Sequence, residues 1–153
     1  MRKASKILFL IGGIFAILAS IAFLVVAIVE FVQGGVILAY VEAARSGKAT
    51  KEMLEALDEL LKAMGYEHGI YDISSLNALE ALGNQRLASA VYFLICSIVA
   101  IPAAVLAFIC KGKEKPGLAL LIVATVLNGF VWNIVAVVGG VLGIVDWAVN
   151  HNK

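Results

Sequence analysis

Charged residues are scarce in this chain and unevenly placed. Only 15% of its 153 residues are Asp, Glu, Lys or Arg, whereas 62% are hydrophobic. Soluble domains are about half apolar and about a quarter charged, so this composition offers too little polar surface for a water-soluble fold. Residues 7–29 and 87–110 carry no charge, and each stretch reaches the roughly 20 residues that a helix needs to cross a bilayer. We therefore expect an integral membrane protein with a single membrane domain, residues 1–153.

The chain also lacks the residue patterns that carry most enzyme chemistry. Cys96 and Cys110 would lie about 21 Å apart along one helix, which is too far for a disulfide. We find no phosphate-binding glycine loop, no nucleophile elbow and no cluster with metal-ligand spacing. The sequence therefore predicts no catalytic residue, no cofactor, no metal and no nucleic-acid partner, and an intramembrane enzyme is the third choice of function.

Basic residues in the short flanking segments indicate the orientation. Three precede the first uncharged stretch, and three more lie in 111–115. Short segments rich in Lys and Arg face the cytoplasm, whereas residues 42–86, with five basic and eight acidic residues, are expected outside. A secretory signal peptide is the alternative for the N-terminus, but its apolar region is about 7–15 residues long, shorter than 7–29. We expect a plasma-membrane protein with a cytoplasmic N-terminus.

The last apolar stretch, 117–149, allows either one crossing or two. One helix would measure about 50 Å and would overshoot a bilayer of about 40–45 Å. A break at Asn128–Asn133 gives two short helices, and Asn-Gly is a strong turn dipeptide. We favour two crossings with a cytoplasmic C-terminus. The expected fold is therefore an all-α four-helix transmembrane bundle, and a protein with three spans is the alternative. The expected spans are 7–30, 87–110, 115–131 and 132–149.

The external segment 42–86 contains an amphipathic helix. In 50–64, leucines and methionines recur at helical spacing, with acidic residues on the other side. Thr50 is the expected N-cap and Gly65 the expected stop, and a second helix is expected after Ser74 or Ser75. These helices are expected to cap the bundle; the alternatives are docking of a membrane or extracellular protein partner and adsorption to the membrane surface. The candidate interaction residues are Glu52, Glu55, Asp58 and Glu59.

Small residues recur in the apolar stretches at the spacing that lets helix backbones approach closely. We expect them to form contact faces within the chain, with a homo-oligomer as the alternative. The three stripes are Gly12, Ala16 and Ser20; Cys96, Ala100 and Ala104; and Ala136 with Gly140.

Ionisable and polar residues at membrane depth are the usual indicators of function, and three are candidates here. Glu30 is expected among the external headgroups. Asp146 is expected at the inner surface, where a lysine at 6, 113 or 115 could pair with it. We interpret Asn128 and Asn133 as residues that form a turn.

Three segments of the chain carry a resemblance: MRKASKILFLIGGIF, KGKEKPGLALLIVATVL and VVGGVLGIVDW. They resemble segments of small four-span membrane proteins of uncharacterised function from Gram-positive bacteria. It implies a bacterial plasma membrane and supplies no catalytic residue. Taken with the acidic helix, it favours a non-catalytic accessory or interaction subunit in the lipid bilayer. The alternative is a small transporter or channel component that uses Glu30, Asn128 and Asp146.

Overall fold

A computed structural model describes residues 2–73 and 75–150 of the chain, and all regular elements in these ranges are helical. The all-α class is therefore confirmed for this part of the chain. The elements are α1 (Arg2–Arg45), α2 (Lys51–Ala63), a 3₁₀ helix (Gly69–Asp72), α3 (Leu76–Gly112), α4 (Leu118–Phe130) and α5 (Ile134–Asn150).

Two helices, α1 and α3, are long and apolar enough to cross a membrane. The expected spans 7–30 and 87–110 lie inside them, but both helices extend well beyond the spans. The helix α1 continues to Arg45, and α3 starts at Leu76 and is not interrupted at Gly83. An added Cβ atom at Gly83 would lie 2.7 Å from Leu38 Cγ, so this glycine allows close helix packing and does not break the helix.

The helices α4 and α5 are shorter than complete spans. They contain 13 and 17 residues, which corresponds to about 20 and 26 Å, against an apolar bilayer core of about 30 Å. The chain breaks between them at 131–133, inside the predicted break 128–133, although Asn128 itself lies in α4. Four complete spans are therefore not shown.

The chain divides into two compact units. Unit 1 comprises Met1–Val25 and Phe93–Lys153, and unit 2 comprises Val26–Tyr92. Unit 1 therefore contains the first part of α1, the last part of α3, and all of α4 and α5. Unit 2 contains α2, the 3₁₀ helix and the remaining parts of α1 and α3.

Small residues make the closest helix contacts of unit 1. A Cβ atom added at Gly12 in α1 would lie 2.5 Å from the Cβ atom of Ala136 in α5. One added at Gly140 in α5 would collide with the Thr125 hydroxyl of α4. The expectation that these small residues form contact faces within the chain is confirmed at both places.

Paired contacts give the helix directions in unit 1. Arg2 bonds Asp146 and Gly12 packs on Ala136, so α1 and α5 run antiparallel. The short connection 131–133 makes α4 and α5 an antiparallel hairpin. The open end of this hairpin therefore lies level with Arg2, and its turn lies toward Gly12.

Large apolar side chains cover the outside of unit 1. Leu18, Ile98 and Val126 are 57–64% exposed, whereas Ala16 and Ala100 are fully buried. Soluble monomers seldom expose contiguous apolar patches larger than a few hundred Å². Small residues inside and large apolar residues outside are the arrangement expected of helices packed in lipid.

The apolar face of α2 forms the core of unit 2. Leu57 and Leu61 are fully buried and pack with residues of α1 and α3. Six buried residues form this cluster: Ile37, Val41, Leu57, Leu61, Leu79 and Leu82. Within unit 2, α2 therefore packs on the parts of α1 and α3 that belong to the same unit.

Local capping explains where α2 begins and ends. The Thr50 hydroxyl accepts a hydrogen bond from the Met53 N–H at 3.2 Å, as an N-cap should. At the other end Gly65 has φ +103°, and the N–H of Tyr66 bonds the Leu61 carbonyl oxygen at 3.0 Å. This is a Schellman ending, in which glycine is favoured because the left-handed conformation strains other residues. Both predicted ends of α2 are confirmed.

The glycine contacts lead to a test by substitution. We expect Gly12→Ala to destabilise the protein by about 1–3 kcal/mol, because α1 and α5 must separate to admit the methyl group. Gly35→Ala is the matched control, since a Cβ atom added there meets nothing within 4 Å and alanine favours the helix by roughly 0.5–1 kcal/mol. Thermal unfolding of both variants in one detergent measures the difference. Equal melting temperatures would contradict the close contact.

Candidate functional site

The turn between α4 and α5 has an unusual backbone. Trp132 adopts φ +62°, a conformation that costs most non-glycine residues about 1–2 kcal/mol. Its N–H bonds the Gly129 carbonyl oxygen at 3.1 Å, and the Asn133 N–H bonds the Asn128 carbonyl oxygen at 2.8 Å. These two bonds form a Schellman motif with tryptophan at the position usually taken by glycine.

Two asparagine side chains hold this turn against α1 and α3. Asn128 is fully buried, and its Nδ2 donates to the carbonyl oxygens of Ala103 at 3.2 Å and Ala124 at 2.8 Å. The Nδ2 of Asn133 donates to Asn128 Oδ1 at 3.0 Å and to the Gly12 carbonyl oxygen at 2.6 Å. We call Asn128 and Asn133 the asparagine pair.

The asparagine pair corrects one sequence-based interpretation. Asn133 does belong to the turn, but Asn128 lies in α4 and joins α4 to α3 through its side chain. The Asn-Gly dipeptide at 128–129 is therefore helical, and the prediction of a turn there was wrong. The helix continues through Asn128 because its side-chain amide donates to the carbonyl oxygen of Ala124 in the preceding turn of α4 and to that of Ala103 in α3.

Asp146 lies at the open end of the hairpin. Its Oδ2 is 3.4 Å from Arg2 Nε, and its Oδ1 accepts from Asn150 Nδ2 at 2.8 Å. We expected a lysine partner, and that prediction was wrong. The antiparallel register of α1 and α5 brings the first basic residue of the chain, Arg2, to this carboxylate.

Glu30 belongs to unit 2 and pairs with Arg86. The Arg86 Nη1 and Glu30 Oε1 atoms are 3.6 Å apart, and the Glu30 side chain is only 13% exposed. Sequence reasoning missed Arg86, although a signal was present. Each residue is the first charge beyond an uncharged stretch, 7–29 or 87–110, so antiparallel packing of the two stretches would bring the two charges to the same level.

Three of the four predicted acidic interaction residues lie exposed on α2. They are Glu52, Glu55 and Glu59, and we call them the acidic face. Lys51 Nζ lies 4.0 Å from Glu55 Oε1, a distance at which an exposed ion pair contributes little.

Asp58 has a different role from its neighbours on α2. Its Oδ1 accepts from the Ile70 N–H at 2.9 Å, and its Oδ2 lies 3.1 Å from Lys62 Nζ. The hydrogen bond from Ile70 and then the bond with Lys62 hold the pKa of Asp58 below its ordinary 3.8. These bonds stabilise the folded state fully above pH 3.8, the ordinary pKa of the carboxyl group, and the stabilisation is lost as the pH falls through the lower pKa of the folded state. The Asp58 side chain thus links the 3₁₀ helix to α2 through its hydrogen bond with Ile70.

Within unit 1, the candidates Asn128 and Asp146 lie at opposite ends of the hairpin, Asn128 in the last turn of α4 and Asp146 at the open end. Glu30 and the acidic face belong to unit 2. Among residues 2–73 and 75–150, no group of three or more His, Cys, Asp or Glu side chains is placed to hold a metal ion.

The chain matches no protein-family model, no curated protein and no solved structure. The resemblance of its ends to small four-span proteins of Gram-positive bacteria therefore stays a prediction.

The asparagine pair gives a second stability prediction. We expect Asn128→Leu to lower the free energy of unfolding by about 1–2 kcal/mol, because the bonds to Ala103 and Asn133 are lost from a buried site. Asn84→Leu is the control, since Asn84 is exposed on α3. Thermal unfolding in detergent is the measurement. A variant as stable as the control would show that the pair does not hold the hairpin.

Proposed function

We propose that this chain is a plasma-membrane protein in which α1 and α3 cross the bilayer and the α4–α5 hairpin enters and leaves from the cytoplasmic side. The apolar exterior of unit 1 supports membrane insertion. The basic residues before 7 and in 111–115 support a cytoplasmic location for the ends of the hairpin. In this arrangement the C-terminus lies on the same side as the N-terminus, as it would with four complete spans.

The level of the hairpin turn supports a re-entrant segment. The turn bonds Gly12, which is about 9 Å along the helix from Lys6. It also packs on α3 near Ala100, about 17 Å from Lys111. Both distances are well short of the roughly 30 Å apolar core. Non-helical backbone at this depth has to be satisfied by protein, and the asparagine pair and Schellman bonds do this.

Cysteine labelling distinguishes a re-entrant hairpin from two full crossings. In a background with Cys96→Ala and Cys110→Ala, single cysteines would replace Ala49, Glu114 and Trp132. We expect an impermeant maleimide to label Ala49→Cys from outside and Glu114→Cys only after permeabilisation. The variant Trp132→Cys should resist labelling from both sides. Labelling of Trp132→Cys from outside would establish four spans instead.

We further propose that the protein acts as a non-catalytic accessory subunit that binds a protein partner through the acidic face. The observation that carries this proposal is the division of α2 into two faces. Leu57 and Leu61 are fully buried in the core of unit 2 and Leu60 packs against it, while Leu54 and the three glutamates are exposed. Docking of α2 through its apolar face is therefore disfavoured, and recognition would rely on charge.

The 3₁₀ helix adds an aromatic contact near this surface. Tyr71 is 88% exposed, and Asp58 bonds the adjacent Ile70 to α2. Exposed tyrosines are enriched among the residues that dominate binding energies. A membrane or extracellular protein with a basic surface and an aromatic-binding pocket fits this chemistry.

Crosslinking of native membranes tests the accessory function. Lys48, Lys51 and Lys62 offer amines for crosslinking on the α2 side of the chain. We expect a stoichiometric partner from wild-type membranes and its loss from the triple variant Glu52→Lys, Glu55→Lys, Glu59→Lys, because reversed charge repels a basic surface. Glu114→Lys is the control, since it changes charge outside unit 2. A partner retained by the folded triple variant would contradict the proposal.

A further inference from the structure

Unit 1 contains a cavity of about 190 Å³ at the open end of the α4–α5 hairpin. Its polar lining comes from α1, from the segment before α4, and from α5, while Leu121 and Trp147 contribute apolar walls. We call it the basic cavity, after its charged lining residues Arg2, Lys6, Lys115 and Asp146.

Positive charge is in excess in the basic cavity. Three cations line it against a single carboxylate, and that carboxylate, Asp146, is already bonded to Arg2. Among the residues that the structure describes, neither Lys6 nor Lys115 forms an ion pair. Two lysines on separate segments of the chain therefore line one small cavity without a carboxylate partner among the described residues.

The lining also supplies hydrogen-bond donors. Gly117 lines the cavity and is the N-cap residue of α4, where it makes no side-chain cap, so the first N–H groups of that helix have no side-chain acceptor of this kind. Helix N-termini favour negative charge. The N-terminus of α4 therefore adds to the attraction for an anion, but the lysines are the main reason to expect one.

We propose that the basic cavity binds a phosphate group. The volume is below the roughly 300–1,000 Å³ of pockets for drug-sized ligands, so a compact anionic group fits and a large organic ligand does not. The phosphate could belong to the headgroup of an anionic phospholipid or to free phosphate. Basic pockets between helices at the cytoplasmic membrane surface are suited to lipid headgroups, and the apolar walls at Leu121 and Trp147 would admit the start of an acyl chain.

This inference goes beyond the accessory function and does not require a protein partner. It can be measured on the full chain in neutral detergent, independently of topology. Trp132→Phe leaves Trp147, which lines the cavity, as the single tryptophan, because the chain has two. The probes are short-chain phosphatidylglycerol and inorganic phosphate, each followed by Trp147 fluorescence and by calorimetry.

Matched lysine substitutions test where the probes bind. In the Trp132→Phe background, we expect Lys6→Gln and Lys115→Gln each to weaken binding about fivefold, which corresponds to the contribution of one basic residue near an anionic lipid. Lys3→Gln and Lys113→Gln are the controls, because these neighbouring lysines do not line the cavity. Melting temperatures confirm that all four variants remain folded.

The two probes separate the two sources of phosphate. Much tighter binding of the short-chain lipid, with inorganic phosphate as a weak competitor, identifies a headgroup site. Equal affinities identify a site for free phosphate. Binding of neither probe, or equal weakening by the cavity variants and their controls, would overturn the proposal. The crosslinking result on the acidic face is unaffected by either outcome.

Discussion

Satisfaction of backbone and amide groups at the turn between α4 and α5 is the constraint on which unit 1 depends. In the proposed re-entrant arrangement, the turn would expose peptide groups where no water can bond them, and each unsatisfied group costs several kcal/mol. The asparagine pair meets this demand by bonding α1, α3 and α4 at once. The left-handed Trp132 is tolerated because the two Schellman bonds and these amides fix the turn.

The closeness of the helices follows from the same requirement. An asparagine side chain is short, so its Nδ2 reaches the Gly12 carbonyl oxygen only if α1 and α5 approach closely. Gly12 and Ala136 permit this approach because neither carries a large side chain. Apart from Phe9, Leu121 and Val131, the buried apolar residues of unit 1 are small, and most large apolar side chains lie on the exterior. Close packing, the polar turn and the apolar surface are therefore consequences of one arrangement.

Local structure was predictable from the sequence where the signal was local. The helix α2 begins after Thr50 and ends before Gly65 as expected, since caps depend on residues within one turn. The partner of Asp146 and the role of Asn128 were not predictable, because both depend on the register between helices distant in sequence. The pairing of Glu30 with Arg86 is an intermediate case. The two residues adjoin the ends of uncharged stretches, and antiparallel packing of these stretches would bring the two charges together.

The polar contacts bear on the choice between an accessory subunit and a transporter. A relay needs polar groups that can exchange partners along a continuous path. In unit 1, Asn128 is bonded to Ala103 and Ala124, and Asp146 to Arg2 and Asn150. The contacts with Ala103 and Arg2 join helices to one another, so disturbing them for each transported ion would weaken the packing of the hairpin. The acidic face of α2 carries no comparable structural duty, which is why recognition by unit 2 is the better supported function.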